Sequence, residues 1–196
     1  MRVWRAVSIG ALALLGAIGA TSCGGTGGED PTNLPGTWRL RGDIEEISFR
    51  ADGSLTVTDG STAENVYTGT WSATTEIITL TAHNAMGGGY TGLTLSYALR
   101  DSRLMLGALR PEGSTDGVVG TWNGDSKWGI LRIEVRADGS ASFAASDESG
   151  QPFQNHPNAT YTFESASGRV VVFFDKDDIG FWFTDGLLAD GVYDRQ

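Results

Sequence analysis

Apolar side chains recur at every second position along most of this chain, the period of a strand with one buried and one wet face. The clearest run sets Leu131, Ile133 and Val135 against Arg132, Glu134 and Arg136. Register then fixes the turn that follows, because a slip of one residue sends every side chain to the wrong face. A two-residue Asp138-Gly139 loop would put Val135 opposite Ser142. A three-residue loop, Ala137-Asp138-Gly139, pairs Val135 with Ala141 and Ile133 with Phe143. An earlier stretch gives the same answer, with Phe49 meeting Leu55 and Ile47 meeting Val57. Gly53 and Gly139 then occupy the left-handed position of a bulged turn. Two later turns are shorter. Asp101-Ser102 pairs Leu99 with Leu104 and Tyr97 with Leu106, and Asp185-Gly186 pairs Phe183 with Leu188. No segment after residue 22 carries a convincing helical period.

The strands fall into two similar sets. Pro35-Gly36-Thr37-Trp38 recurs as Val119-Gly120-Thr121-Trp122, and Arg50-Ala51-Asp52-Gly53-Ser54 as Arg136-Ala137-Asp138-Gly139-Ser140. Tyr67-Thr68 answers to Tyr161-Thr162, and Ile77 to Leu80 answers to Val171 to Phe174. Leu99 to Ser102 answers to Phe183 to Gly186. Order is kept while the spacing drifts, as loop insertions between equivalent strands would produce. Each copy reads as about seven short antiparallel strands in a meander, which must curl to hide its apolar face and edges. The expected fold is all-β, with one module over residues 35–112, a seam near Pro111 to Asp116, and a second module over 117–196. Two arrangements fit: two small barrels, or both copies joined in one larger barrel or sandwich. Trp38, Leu40, Phe49, Leu55, Val57, Tyr67, Trp71, Ile78, Leu80 and Leu95 suffice to fill a first barrel. Ala141 and Ala145 leave more room in the second, where a pocket is expected.

The opening Gly-Thr-Trp of each copy, the Arg-Ala-Asp-Gly-Ser hairpins and the tyrosines of the fourth strands resemble small lipocalin-like domains. In that family the first-strand tryptophan closes one barrel end beneath an arginine from the last strand. The resemblance therefore implies that Arg110 covers Trp38 and Arg195 covers Trp122 through cation–π contacts.

The N-terminus adds a location. Arg2 and Arg5 precede an apolar run from Val7 to Ala20, too short to span a bilayer core, then Thr21-Ser22 and the chain's one cysteine, Cys23. This resembles the lipobox of bacterial lipoproteins, with Ala20 where that family usually has leucine. It implies a signal peptide over 1–22, lipidation of Cys23 and a glycine-rich tether over 23–34. Gly24 is not the aspartate that signals inner-membrane retention, so the expected location is the cell envelope, at the outer membrane in a Gram-negative host. Losing Arg2 and Arg5 would take the formal charge from −10 to −12. Such an acidic body repels nucleic acid.

Catalytic patterns are scarce. His83 and His156 stand in different copies, and neither a Gly-x-Ser-x-Gly elbow nor a Gly-x-x-x-x-Gly-Lys loop is present. Asp175 to Gly180 begins like a calcium loop but has Ile179 and Gly186 where ligands belong, so it reads as a solvated strand connection. Asn158-Ala159-Thr160 is a chance sequon, and Gly87-Gly88-Gly89 a plain loop. No metal or cofactor is expected. Tyr90, Trp128 and Trp182 remain as candidate contacts to a ligand or partner; Trp128 and Trp182 also fit burial between modules.

These readings point to a non-enzymatic, lipid-anchored protein that binds a small apolar or amphipathic ligand, or alternatively a protein partner. Replacing Cys23 with serine is expected to release the folded body from membranes; a variant that stays in the membrane fraction would refute the anchor.

Overall fold

The computed structural model describes residues 30–60 and 65–196. Cys23, the signal-like segment and most of the expected tether lie outside the described residues. Sixteen strands follow one short 3-10 turn at Pro31–Asn33. The first copy supplies β1 (Gly36–Leu40), β2 (Glu45–Phe49), β3 (Ser54–Asp59), β4 (Val66–Ala73), β5 (Ile77–His83), β6 (Gly89–Arg100) and β7 (Arg103–Leu106). A two-residue strand, β8 (Arg110–Pro111), leads into the second copy. That copy supplies β9 (Gly120–Ser126), β10 (Gly129–Val135), β11 (Ser140–Ser146), β12 (Pro152–Glu164), β13 (Arg169–Phe174), β14 (Asp177–Thr184) and β15 (Leu187–Ala189). The last strand is β16 (Gly191–Arg195).

The hairpin registers are those the alternation dictates. Phe49 faces Leu55, Val135 faces Ala141, Leu99 faces Leu104 and Phe183 faces Leu188. Gly53 and Gly139 have φ of 81° and 87°, a backbone region costly for any residue with a Cβ. Asp52 and Asp138 brace these turns, each carboxylate accepting from the backbone N–H two residues on, at 2.9 Å. The two tryptophans are also equivalent. Trp38 and Trp122 are wholly buried, and each indole donates to the carbonyl four residues earlier, Leu34 at 2.8 Å and Val118 at 3.0 Å.

Two antiparallel eight-stranded sheets result, each rolled round its own core, so the arrangement is two small barrels rather than one large one. Their closure crosses the boundary between copies. The first barrel runs β1-β16-β7-β6-β5-β4-β3-β2, so its eighth strand comes from the end of the second copy. The second sheet runs β15-β14-β13-β12-β11-β10-β9-β8 and takes its eighth strand from the end of the first copy. Leu109 and Leu188 exchange both backbone hydrogen bonds, at 2.6 and 3.2 Å, and join the two edges of that second sheet. A division at 112/117 therefore describes the repeat but not the sheets.

Chain geometry explains the exchange. Only Asp190 separates β15 from β16, whereas the tightest common hairpin needs two residues to reverse direction. The chain must run on, and it enters the other barrel. The two crossing segments touch there: a Cβ on Gly107 would lie 2.2 Å from the Asp190 carboxylate. Between the barrels, Ala98, Met105, Ala108, Leu187, Ala189 and Val192 form a third apolar cluster, with Trp182 packed against it. Arg103 reaches Thr184 and Asp185, both at 3.0 Å, near the tryptophan-bearing ends. The crossings lie at the opposite ends, so both barrels point the same way.

Two sequence correspondences shift. The backbone N–H of Trp71 bonds to the Gly53 carbonyl as that of Tyr161 bonds to the Gly139 carbonyl, which makes Trp71 the counterpart of Tyr161. Tyr67 is not. Val172 faces Tyr161 as Leu80 faces Trp71. Matching by side-chain type failed because equivalent backbone positions carry different aromatic residues, tryptophan in one copy and tyrosine in the other.

Deleting residues 191–196 should therefore unfold the first barrel, leaving one edge each of β1 and β7 unpaired and Trp38 uncovered. Near-ultraviolet circular dichroism lost in step with a red-shifted tryptophan emission would show it; an unchanged spectrum would contradict closure by β16.

Candidate functional site

The cation–π arrangement differs from the expected one. Because β16 lies beside β1, Arg195 is paired with Trp38 and sits 5.1 Å from its ring, with its guanidinium donating to the Pro35 carbonyl at 2.8 Å. In the second barrel the residue opposite Trp122 is Pro111, and Arg110 instead donates to the Tyr97 carbonyl at 3.2 Å. Phe183 packs edge-on against Trp122, with ring centroids 5.8 Å apart. Strand exchange thus reassigned one arginine, and a one-residue register difference displaced the other.

The three candidate contact residues separate. Tyr90 is half-buried at the non-tryptophan end of the first barrel, packed against its core. Burial raises its phenol pKa, and the nearby Glu45 and Tyr67 add to the shift. Trp182 lies in the seam between the barrels, with Arg169 5.8 Å from its ring. Trp128 alone is open, at 48% exposure in the β9–β10 turn, with the Lys127 ammonium 5.5 Å from its ring.

Around Trp128 the structure assembles an apolar patch. Ile130 and Phe153 are 36% and 57% exposed. Gly129, between Trp128 and Ile130, has no side chain, and the Phe153 ring fills the place a Cβ would crowd, 3.1 Å away. Ile130 faces Ser146, which in turn faces Pro152, so three strands converge here. Sequence reasoning missed Ile130 and Phe153. Their signal was an apolar residue out of phase with the core pattern: Ile130 beside Leu131, and Phe153 amid Gln151, Gln154 and Asn155.

Both barrel interiors are occupied. Trp38, Tyr97, Leu104, Leu55 and Ile78 fill the first, while Trp122, Phe143, Phe181 and Leu131 fill the second. Beside Ala141 and Ala145, where a pocket is expected, Phe143 stacks on Phe174 at 4.9 Å and His156 on Phe174 at 4.4 Å. Two clefts, of about 360 and 420 Å³, lie outside the first barrel at its tryptophan end.

Other titratable groups are held by close neighbours. His156 Nδ1 lies 3.1 Å from Asp175, whose residue pair Asp175-Lys176 is the tight turn between β13 and β14. His83 is exposed, its Nε2 3.1 Å from the Thr91 hydroxyl. Glu45 accepts from the buried Tyr193 hydroxyl; burial raises the pKa of the carboxyl, and burial beside Glu45 raises that of the phenol.

Asp190 is the most perturbed carboxylate. Its Oδ2 accepts from the Ser126 hydroxyl at 2.7 Å and the Lys127 backbone N–H at 3.0 Å, while Oδ1 is buried without a hydrogen-bond partner. Burial pushes its pKa up to about 6, the Ser126 hydrogen bond and the Lys127 charge offsetting part of the effect. The folded state therefore holds the proton more tightly than the unfolded chain. The stability that Asp190 contributes is fully present below the ordinary value of 3.8 and is lost as pH rises to about 6, by roughly 3 kcal/mol at most. Asp190→Asn should remove that fall. Urea unfolding is expected to show the variant more stable than the parent at pH 8 and nearly equal to it at pH 4; parallel curves would refute the shift.

No protein-family model matches the chain, and no curated protein or solved structure matches it.

Proposed function

We propose that this chain is a non-enzymatic, lipid-anchored cell-envelope protein whose paired barrels present a binding surface to another protein. The observation that carries this reading is the exposed Trp128, Ile130 and Phe153 patch on an otherwise filled, acidic body. Interaction surfaces are enriched in aromatic anchors, and apolar clusters rimmed by polar residues mark such sites. Lys127, Asp125 and Glu148 supply a polar surround near the patch in sequence and fold. The lipocalin-like resemblance and the lipobox-like Cys23 support an envelope setting.

The small-ligand reading keeps one specific observation. Glu45, Tyr67, Tyr90 and Tyr193 cluster at the non-tryptophan end of the first barrel, an acidic and aromatic mouth suited to an amphipathic amine. The filled core beneath it weighs towards the protein partner, since ligand pockets generally enclose about 300 Å³ or more.

A photo-crosslinking residue at Ile130, introduced in the native host, is expected to trap one protein. Trp128→Ala with Phe153→Ser should weaken that association by about thirtyfold, the scale of a lost aromatic anchor, without lowering the melting temperature. An adduct indifferent to both substitutions, or a small molecule bound in place of any protein, would overturn the reading.

A further inference from the structure

The end of the first barrel from which the tether emerges has the chemistry of a membrane-facing surface. Three observations converge on it. The first is a fixed point of attachment. Leu34 is buried beneath Trp38, its carbonyl accepts the indole N–H, and Arg195 holds the Pro35 carbonyl. Asp30 accepts from the Thr32 backbone N–H at 2.9 Å. The chain therefore leaves the body beside the tryptophan end. The seven steps from Cys23 to Asp30 can span at most about 25 Å when fully extended.

The second observation is a largely apolar cleft at that spot. The 420 Å³ cleft is walled by Pro31, Pro35, Ala51, Trp71 and Ala73, with the polar Thr32 and Ser72 also in its lining. Trp71 is partly buried at the rim of the core, edge-on against Phe49 at 5.3 Å, and its indole N–H is given to the Arg50 carbonyl at 3.0 Å. Tryptophan at the rim of a body is at home at headgroup depth.

The third is charge. Arg50, Arg100, Arg103 and Arg195 lie at this end of the first barrel with Asp30, Asp52, Glu76, Asp101 and Asp185, the last paired with Arg103. At the opposite end of the same barrel Asp43, Glu45 and Asp59 stand with Arg41. An anionic surface repels that far end more strongly than the nearly balanced one.

We propose that the tryptophan end of the first barrel rests on the phospholipid bilayer, with Trp71 and its cleft at headgroup level and the neighbouring arginines against lipid phosphates. The proposal rests on lipidation at Cys23. It also turns the Trp128 patch, at the other end of the second barrel, away from the membrane and towards soluble or surface partners.

The test uses the full lipidated chain on phosphatidylethanolamine–phosphatidylglycerol vesicles, with the soluble Cys23→Ser chain as reference. Hydrogen exchange is expected to slow on vesicles at the turns of residues 50–54 and 74–76 and to stay unchanged at 84–88. A fluorophore on Ser72→Cys should be quenched by nitroxide headgroups at least about twofold more than one on Ala85→Cys, as interfacial depth requires. Equal quenching, or protection at 84–88 instead, would overturn the orientation while leaving the anchor intact. A chain recovered without acyl mass would overturn both.

Discussion

Each barrel is closed by a strand that belongs to the other half of the chain, and this reciprocal closure governs the rest of the structure. A β-sheet edge left open exposes a row of unpaired N–H and C=O groups, so an eight-stranded ring missing one member is not a finished fold. Here β16 supplies the missing member to the first barrel and β8 to the second. The cores that depend on those rings, centred on Trp38 and Trp122, become one cooperative system. Neither half contains all the strands of its own barrel.

The same crossing builds the seam. Where the segments pass, Gly107 leaves room for the Asp190 side chain, and the crossing carries that carboxylate into a site with too few hydrogen-bond donors. A lone carboxylate under such conditions favours its protonated form, which makes the junction a pH-sensitive part of the fold. Met105, Leu187 and Val192 complete the join as an apolar contact between outward faces. Outward apolar residues are thus spent on the seam in one place and left open around Trp128 in another. The open set carries the functional proposal because the seam already accounts for Trp182.

A body with two poles follows from these features. One pole holds the chain entry, the Trp71 cleft and nearly balanced charge; the other holds the acidic turns and the exposed patch. Filled interiors leave the surface as the place where specificity can reside, and the loops there tolerate change because the rings beneath them are closed.

The sequence alone determined everything that depends on neighbours along the chain. Period-two alternation set the strands and their inward faces, and glycine or aspartate at the turns set loop length, so registers such as Val135 with Ala141 were legible in advance. The duplication was legible too, through the two Gly-Thr-Trp openings. Tertiary structure decided which edge each last strand would meet, and with it the partner of Arg195, the place of Pro111 opposite Trp122, and the separate fates of Trp128 and Trp182. One local clue existed in the apolar run from Leu187 to Tyr193, where a single aspartate leaves no room to turn back. Its destination was not encoded nearby, because an unpaired edge accepts any strand of suitable pattern and only the assembled barrels determine which one arrives.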